Sequence, residues 1–242
     1  MYKNIFLGKK AAFFDLDGTI IDSIPYWERA CRIVQEDVSQ DSAPLYGLAK
    51  GSYLGEFWKS AIKDYGLKTG LSVDELLKKT HHEYLELFKS APLEPRDGFW
   101  KLADELKTDK KWSLALISNS DRSVVTPIIS SLGLDGGAFD IIITGDEVGH
   151  RKPSPDIYQK ALKALRLKSR EVVVFEDSVT GSSAAEKAGL DTIAIWDGNI
   201  PEYDYPKNVL LFLPDFDSLP GNLDTTFIET SKNKLKSIQS ES

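Results

Sequence analysis

Six short apolar runs, none of them alternating polar with apolar, constrain this chain most. They are "AAFF" (residues 11–14), "WSLALIS" (112–118), "FDIIITGDE" (139–147), "EVVVFEDS" (171–178), "DTIAIWDG" (191–198) and "NVLLFL" (208–213). Unbroken Val, Ile and Leu runs of strand length are what a sheet covered on both faces requires, because both sides of each strand meet apolar neighbours. Between the runs lie helical patterns, at Asp97–Lys107, Asp121–Leu132, Pro155–Leu167 and Val179–Ala188. Strand followed by helix, repeated, gives right-handed crossovers and an α/β fold, a doubly wound parallel sheet.

One stretch departs from the alternation. From Ile24 to about residue 92 only amphipathic patterns occur: "PYWERACRIVQEDV", "LGEFWKSAIKDYG" and "SVDELLKKTHHEYLELFKS". They predict a helical domain over 24–92 inserted into an α/β core of 1–23 and 93–242. The polar tail after about Thr226 is expected to fray, its lysines forming a solvated face.

The first apolar run ends in "DLDGT", with Asp15 and Asp17 two positions apart. A carboxylate leaving a buried strand needs compensation, because an unpaired charge in a low-dielectric interior is costly. In an open parallel sheet, ligands bind beyond the carboxyl ends of the strands. The predicted strand ends collect Asp15 and Asp17, Ser118 and Asn119, and Glu176 and Asp177, with Lys152 on the loop after the third predicted strand. Four carboxylates, one lysine and small polar donors suit Mg²⁺ together with a phosphoryl group. With a divalent ion offsetting repulsion, Asp15 can attack phosphorus while Asp17 exchanges protons with the leaving oxygen and then with water. Gly18 permits the sharp turn that follows.

"DLDGT" at 15–19, Ser118, "RKPSPD" at 151–156 and "EDS" at 176–178, in this order, resemble the four motifs of the haloacid dehalogenase (HAD) superfamily, and the insertion after the first motif resembles its helical cap. "KPSPD" and "EDSVTG" bring it close to the beta-phosphoglucomutase-like and phosphoglycolate-phosphatase-like branch. The resemblance covers most of residues 10–200. It implies a Rossmann-like HAD core, a phosphoaspartyl intermediate on Asp15 and acid–base work by Asp17. It also implies a phosphate-binding set of Ser118, Asn119 and Lys152 beside Gly18 and Thr19. Mg²⁺ would be held by Asp15, the Asp17 carbonyl and Asp177, with Glu176 nearby or ligating.

The second acid selects the chemistry. The superfamily's dehalogenases and phosphonate-cleaving members resemble this chain but lack an acid at the position of Asp17, which leaves phosphoryl transfer. The branch's sugar-phosphate mutases carry a histidine where Trp27 stands and an arginine just past a cap Lys-Gly. Here Lys50-Gly51 is followed by Tyr53 and Leu54, so hydrolysis is preferred to mutase chemistry. A non-enzymatic phosphoaspartate scaffold or sensor is the remaining alternative, disfavoured because no motif residue is missing. The expected substrate is a small-molecule phosphate ester, with Lys50, Tyr53 and Lys59 as candidate cap contacts. His81 and His82 read as a solvated helix face, and His150 as a neighbour of Lys152 outside the site.

A net charge of -7 argues against a nucleic-acid or anionic-membrane partner. The lone Cys31 excludes an intramolecular disulfide and reads as a buried helix residue. With no secretory-type apolar segment at the start, a cytoplasmic location is expected. Nothing in the sequence sets an oligomeric state, and a monomer is compatible with it.

Overall fold

In the computed structural model the described residues are 2–39, 53–219, 223, 226–229 and 234–237. A six-stranded sheet runs in the order β4-β3-β2-β5-β6-β7. Its strands are β2 (Ala11–Phe14), β3 (Ser113–Ile117), β4 (Ile141–Ile143), β5 (Val172–Glu176), β6 (Asp191–Ile195) and β7 (Val209–Leu213), each inside one of the apolar runs. Every neighbouring pair is parallel. Helices α4 (Phe99–Asp104), α5 (Arg122–Ser131), α6 (Asp156–Leu165) and α7 (Val179–Lys187) make the crossovers. The first of these continues as one π turn, Glu105–Asp109. The doubly wound α/β expectation is met.

Register decides what reaches the sheet's carboxyl edge. Phe14 lies opposite Leu116 on one side and Phe175 on the other. The next residues out are therefore level: Asp15, then Ile117 and Ser118, then Glu176 and Asp177. The Asp15 N–H continues the ladder by donating to Phe175 O at 3.0 Å.

An aromatic cluster fixes that register from below. The Phe14 and Phe175 rings stack at 4.7 Å with planes 4° apart, and Phe99 meets Phe14 edge-on at 5.6 Å. Phe139 and Phe216 close the group. Phe14, Phe99 and Phe175 are fully buried. The opposite sheet face packs Phe13, Ala115, Val172 and Val174 on Ile157, Tyr158, Ala184 and Ala185. The small alanines let α7 approach the strands closely.

Three helices occupy the chain between β2 and α4: α1 (Ile24–Val38), α2 (Leu54–Lys63) and α3 (Val73–Ser90). α3 begins with a capping box in which Ser72 accepts from Glu75 N–H and Glu75 accepts from Ser72 N–H. α1 and α2 both pack on α3, with Trp27, Trp58, Leu76 and Tyr84 buried between them. Cys31 is buried there too, and burial pushes its thiol up out of the reactive range.

The chain leaves and re-enters the sheet at one place. Arg96 N–H donates to Ile20 O at 2.7 Å, its Nε to Gly18 O at 3.2 Å, and its guanidinium pairs with Asp22 at 3.1 Å.

The two ends differ from expectation. β1 (Tyr2–Asn4), β8 (Thr226–Glu229) and β9 (Lys234–Ser237) form a separate antiparallel sheet in the order β1-β8-β9. Tyr2 pairs with Glu229, so the tail is held by a partner at the far end of the chain. Segments of three and four residues carry too little periodicity to announce such a pairing.

Replacing Phe14 by alanine removes the centre of the aromatic cluster. The expected loss is about 3–5 kcal/mol of unfolding free energy, read by denaturant titration.

Candidate active site

The strand ends converge on a cavity that opens to solvent. Core residues form one wall, including Asp15, Asp17, Ser118, Lys152 and Asp177. Ile24, Trp27, Tyr53, Leu54 and His81 from the helical segment form the other.

Lys152 is the hub. It is 4% exposed, and its Nζ donates to Asp15 Oδ1 at 2.7 Å, Glu176 Oε1 at 2.6 Å and Ile117 O at 2.9 Å. Burial alone would depress its pKa, but the Asp15 and Glu176 carboxylates outweigh that and hold the ammonium well above its ordinary value. Asn119 sets the backbone beneath it. Its Oδ1 accepts from Lys152 N–H at 2.9 Å and its Nδ2 donates to Lys152 O at 3.3 Å. The amide thus positions the lysine at the cavity wall.

Glu176 is anchored on both oxygens. Oε1 accepts from Lys152 and from Tyr158 Oη at 3.2 Å. Oε2 accepts from the N–H groups of Asp177 and Ser178 and from Ser178 Oγ, at 3.0–3.2 Å. Ser178 Oγ in turn accepts from Gly181 N–H and caps α7. The motif's glycine has a steric cause: a Cβ on Gly181 would stand 1.7 Å from Glu176 Oε1.

Asp15, Glu176 and Asp177 are all buried, and each can offer a carboxylate oxygen within 4.8 Å of the other two. Burial raises Asp15 well above the usual carboxylate range; Lys152 opposes this, and the Glu176 and Asp177 charges add to it. One lysine cannot neutralise three ionised carboxylates, and the Asp15 shift reflects that crowding. All-oxygen donors at this spacing fit a hard metal ion. Gly18 makes room for that arrangement. Its φ is +86°, and a Cβ there would lie 2.1 Å from Asp177 Oδ2. Thr19 is fully buried and donates to Asp177 Oδ1 at 3.4 Å. Gly18 and Thr19 therefore lie against the acidic cluster, and neither lines the cavity.

Asp17 faces the other way. Its Oδ1 accepts from Ser23 Oγ at 2.7 Å, Trp27 Nε1 at 2.9 Å and Tyr84 Oη at 3.3 Å. Its Oδ2 accepts from Ser120 Oγ at 2.9 Å. Trp27 and Tyr84 stack at 3.7 Å with planes 5° apart. Burial, then the Asp17 carboxylate, pushes the Tyr84 phenol well up, which keeps it a donor. Two helices of the insertion therefore hold the carboxylate that leaves the first core strand.

Ser118 is 1% exposed. Its Oγ accepts from Ser120 N–H at 3.0 Å, leaving the hydroxyl proton to donate into the cavity. Tyr53 lines the mouth, with Arg151 4.1 Å above its ring. Arg151 also donates to Asn119 O and pairs with Asp121.

The other expectations divide. Lys50 lies outside the described residues. Lys59 is exposed, pairs with Glu56 at 2.7 Å and does not line the cavity. His150 is exposed and sits 3.0 Å from Asp156, away from the cavity. His81 is not on a solvated face; α3 turns it into the cavity wall, edge-on to Trp27. The roles of Trp27, Tyr84, Ser120 and Tyr158 were not read from the sequence. Each depends on where a helix or loop far along the chain is packed.

Three comparisons agree with this geometry. A family model described as haloacid dehalogenase-like hydrolase matches residues 9–189. The chain belongs to that family. It is 30% identical over 185 residues to a phosphorylated carbohydrates phosphatase of Thermotoga maritima, covering 76% of this chain and 83% of the relative. It is 30% identical over 191 residues to validoxylamine A 7'-phosphate phosphatase of Streptomyces hygroscopicus, covering 77% and 85%. The fold matches the crystal structure of CbbY from Rhodobacter sphaeroides in complex with phosphate, with a TM-score of 0.74, 23% identity, and 87% and 96% of the two chains covered.

Gly181→Ala drives a methyl group into Glu176 and unseats the lysine's second partner. The expected cost is about 3–5 kcal/mol, the range for breaking a buried ion pair, read as a shift of the denaturant midpoint.

Proposed function

We propose that the protein hydrolyses a small-molecule phosphate monoester, with Mg²⁺, through a phosphoaspartyl intermediate on Asp15. One observation carries this: three buried carboxylates and one buried lysine converge beside Ser118, while a second acid two residues after Asp15 faces the opposite wall of the same cavity. Membership in a hydrolase family with phosphatase-named relatives supports the same reading.

Asp15 and Asp177 would hold Mg²⁺ with the Asp17 carbonyl, Glu176 remaining the lysine's anchor and an outer neighbour of the metal. When bound, the ion neutralises the clustered carboxylates and screens the phosphate from Asp15. The Asp15 carboxylate attacks phosphorus, the P–O bond to the alcohol breaks, and the Asp17 carboxylic acid gives its proton to the departing oxygen. Asp17, now a carboxylate, takes a proton from water. The hydroxide attacks phosphorus, the Asp15–P bond breaks, and inorganic phosphate leaves with Asp15 restored. Lys152 and the Ser118 hydroxyl stabilise charge on the phosphoryl oxygens.

Residues 24–92 form the cap domain of this scheme. Trp27, Tyr53, Leu54 and His81 line the cavity opposite the phosphoryl site, where they would limit access of bulk water to a bound substrate. Trp27, occupied as a donor to Asp17, stands where the related mutases have histidine, which favours hydrolysis. Among the described residues no helix is long and apolar enough to cross a membrane. The single buried cysteine suits a reducing compartment such as the cytoplasm.

Release of inorganic phosphate from a phosphometabolite panel, with and without Mg²⁺, tests the reading. Asp15→Asn is expected to lower turnover by about 10³-fold or more, and chelation to abolish it. Mg²⁺ at about 100 times its Kd should stabilise the wild type by about 2.7 kcal/mol, an increment that Asp177→Asn removes. Undiminished turnover in Asp15→Asn refutes the mechanism.

Trp27→Phe keeps an aromatic ring on Tyr84 but deletes one donor to Asp17. A fall in kcat of about tenfold with little change in KM is expected from a group acting on proton transfer, measured by steady-state kinetics.

A further inference from the structure

One imidazole in the cavity takes no part in the bond-making and proton transfers of the scheme above. His81 lies on α3 one turn before Tyr84, and its ring meets Trp27 edge-on, with centroids 5.9 Å apart and planes at 71°. Trp27 donates to Asp17 at 2.9 Å. His81 is thus one aromatic ring away from the group that protonates the leaving oxygen. Asp15, Asp17, Trp27 and His81 line one cavity, so the wall beside Asp17 is available to atoms of the alcohol.

Neither ring nitrogen of His81 has a hydrogen-bond or ion-pair partner among the described residues. A half-buried polar group facing a cavity without a protein partner is left for water or for a ligand. Burial pushes the His81 pKa below its ordinary value, and Arg151 pushes the same way, while Asp121 and Asp17 partly oppose them. The ring is therefore largely neutral near pH 7, with one donor and one acceptor nitrogen. A hydroxyl, which also donates and accepts, matches both.

The surroundings select against a charged alternative. Ile24, Leu54 and Trp27 make the adjoining wall apolar. The nearby carboxylates Asp17 and Asp121 repel a second anionic group. Arg151, which could have received one, is spent on Asp121, Asn119 O and the Tyr53 ring.

We propose that His81 is a specificity-determining residue that hydrogen-bonds an uncharged hydroxyl of the leaving alcohol, close to the ester oxygen. This rests on the phosphatase reading and adds to it the side chain that reads the alcohol. A site built around such a bond discriminates strongly against the analogue lacking the hydroxyl, because the buried polar group is then left unpaired.

The test compares glycerol 1-phosphate with propyl phosphate, which share chain length and differ in two hydroxyls. The wild type should favour glycerol 1-phosphate by about 10²-fold in kcat/KM. In His81→Ala that ratio should collapse to within about threefold of unity. His81→Gln, which retains a donor and an acceptor, should recover part of it. His82→Ala alters the exposed neighbouring histidine and should leave the ratio at the wild-type value. Equal use of the two esters by the wild type, or a preference that survives in His81→Ala, overturns the proposal and leaves the phosphatase reading standing. So does failure to use either ester by a wild type that hydrolyses other members of the panel. Silence across the whole panel overturns the phosphatase reading and this inference with it.

Discussion

The structure depends on one buried cation. Lys152 is surrounded by Asp15, Glu176 and the Ile117 carbonyl, drawn from the ends of three different strands, each in direct hydrogen-bond contact with its ammonium. A lysine so placed is tolerated only when its partners are fixed, because losing either carboxylate leaves a charge stranded in a low-dielectric interior. Much of the surrounding detail serves that need. Asn119 clasps the lysine's backbone, Tyr158 and Ser178 anchor Glu176, and Gly181 stays bare so that Glu176 can fit.

The lysine also leaves work undone. Its single charge does not balance Asp15, Glu176 and Asp177 together. The electrostatic deficit and the all-oxygen donor set are two aspects of one design. The polypeptide fixes the anions at a spacing that can hold a hard cation. The aromatic stack of Phe14 on Phe175 lies one residue behind two of these carboxylates. Rigidity in the sheet is in this way delivered directly to the acidic side chains.

The core was legible because its signals are local. Each apolar run is a strand, and an acid, hydroxyl or amide directly after such a run has to emerge at the same sheet edge. Asp15, Ser118, Glu176 and Asp177 could be placed together on that basis. What stayed hidden depends on packing between distant segments. Trp27 and Tyr84 are ordinary aromatic positions of amphipathic helices until α1 and α3 are packed against each other. His81 belongs to a polar pattern, "THHEY", that reads as surface because helical periodicity does not say which side of a helix another wall will cover. The antiparallel sheet at the chain ends was hidden for a related reason, since Tyr2–Asn4 finds its partner more than 200 residues away.

The Arg96 clasp gives the molecule a narrow waist. Chain leaving through Ile20 and Asp22 and chain returning through Arg96 are joined where they cross, directly behind Gly18. The described helices between those two points touch the core a second time, where Trp27 and Tyr84 donate to Asp17 and Arg151 lies over Tyr53. A lineage that reshaped those helices would have to keep Trp27 and Tyr84 in place, because both donate to Asp17. The helical segment is thus fastened at its base and again at the carboxylate it grips, so its movement and the setting of Asp17 are mechanically linked.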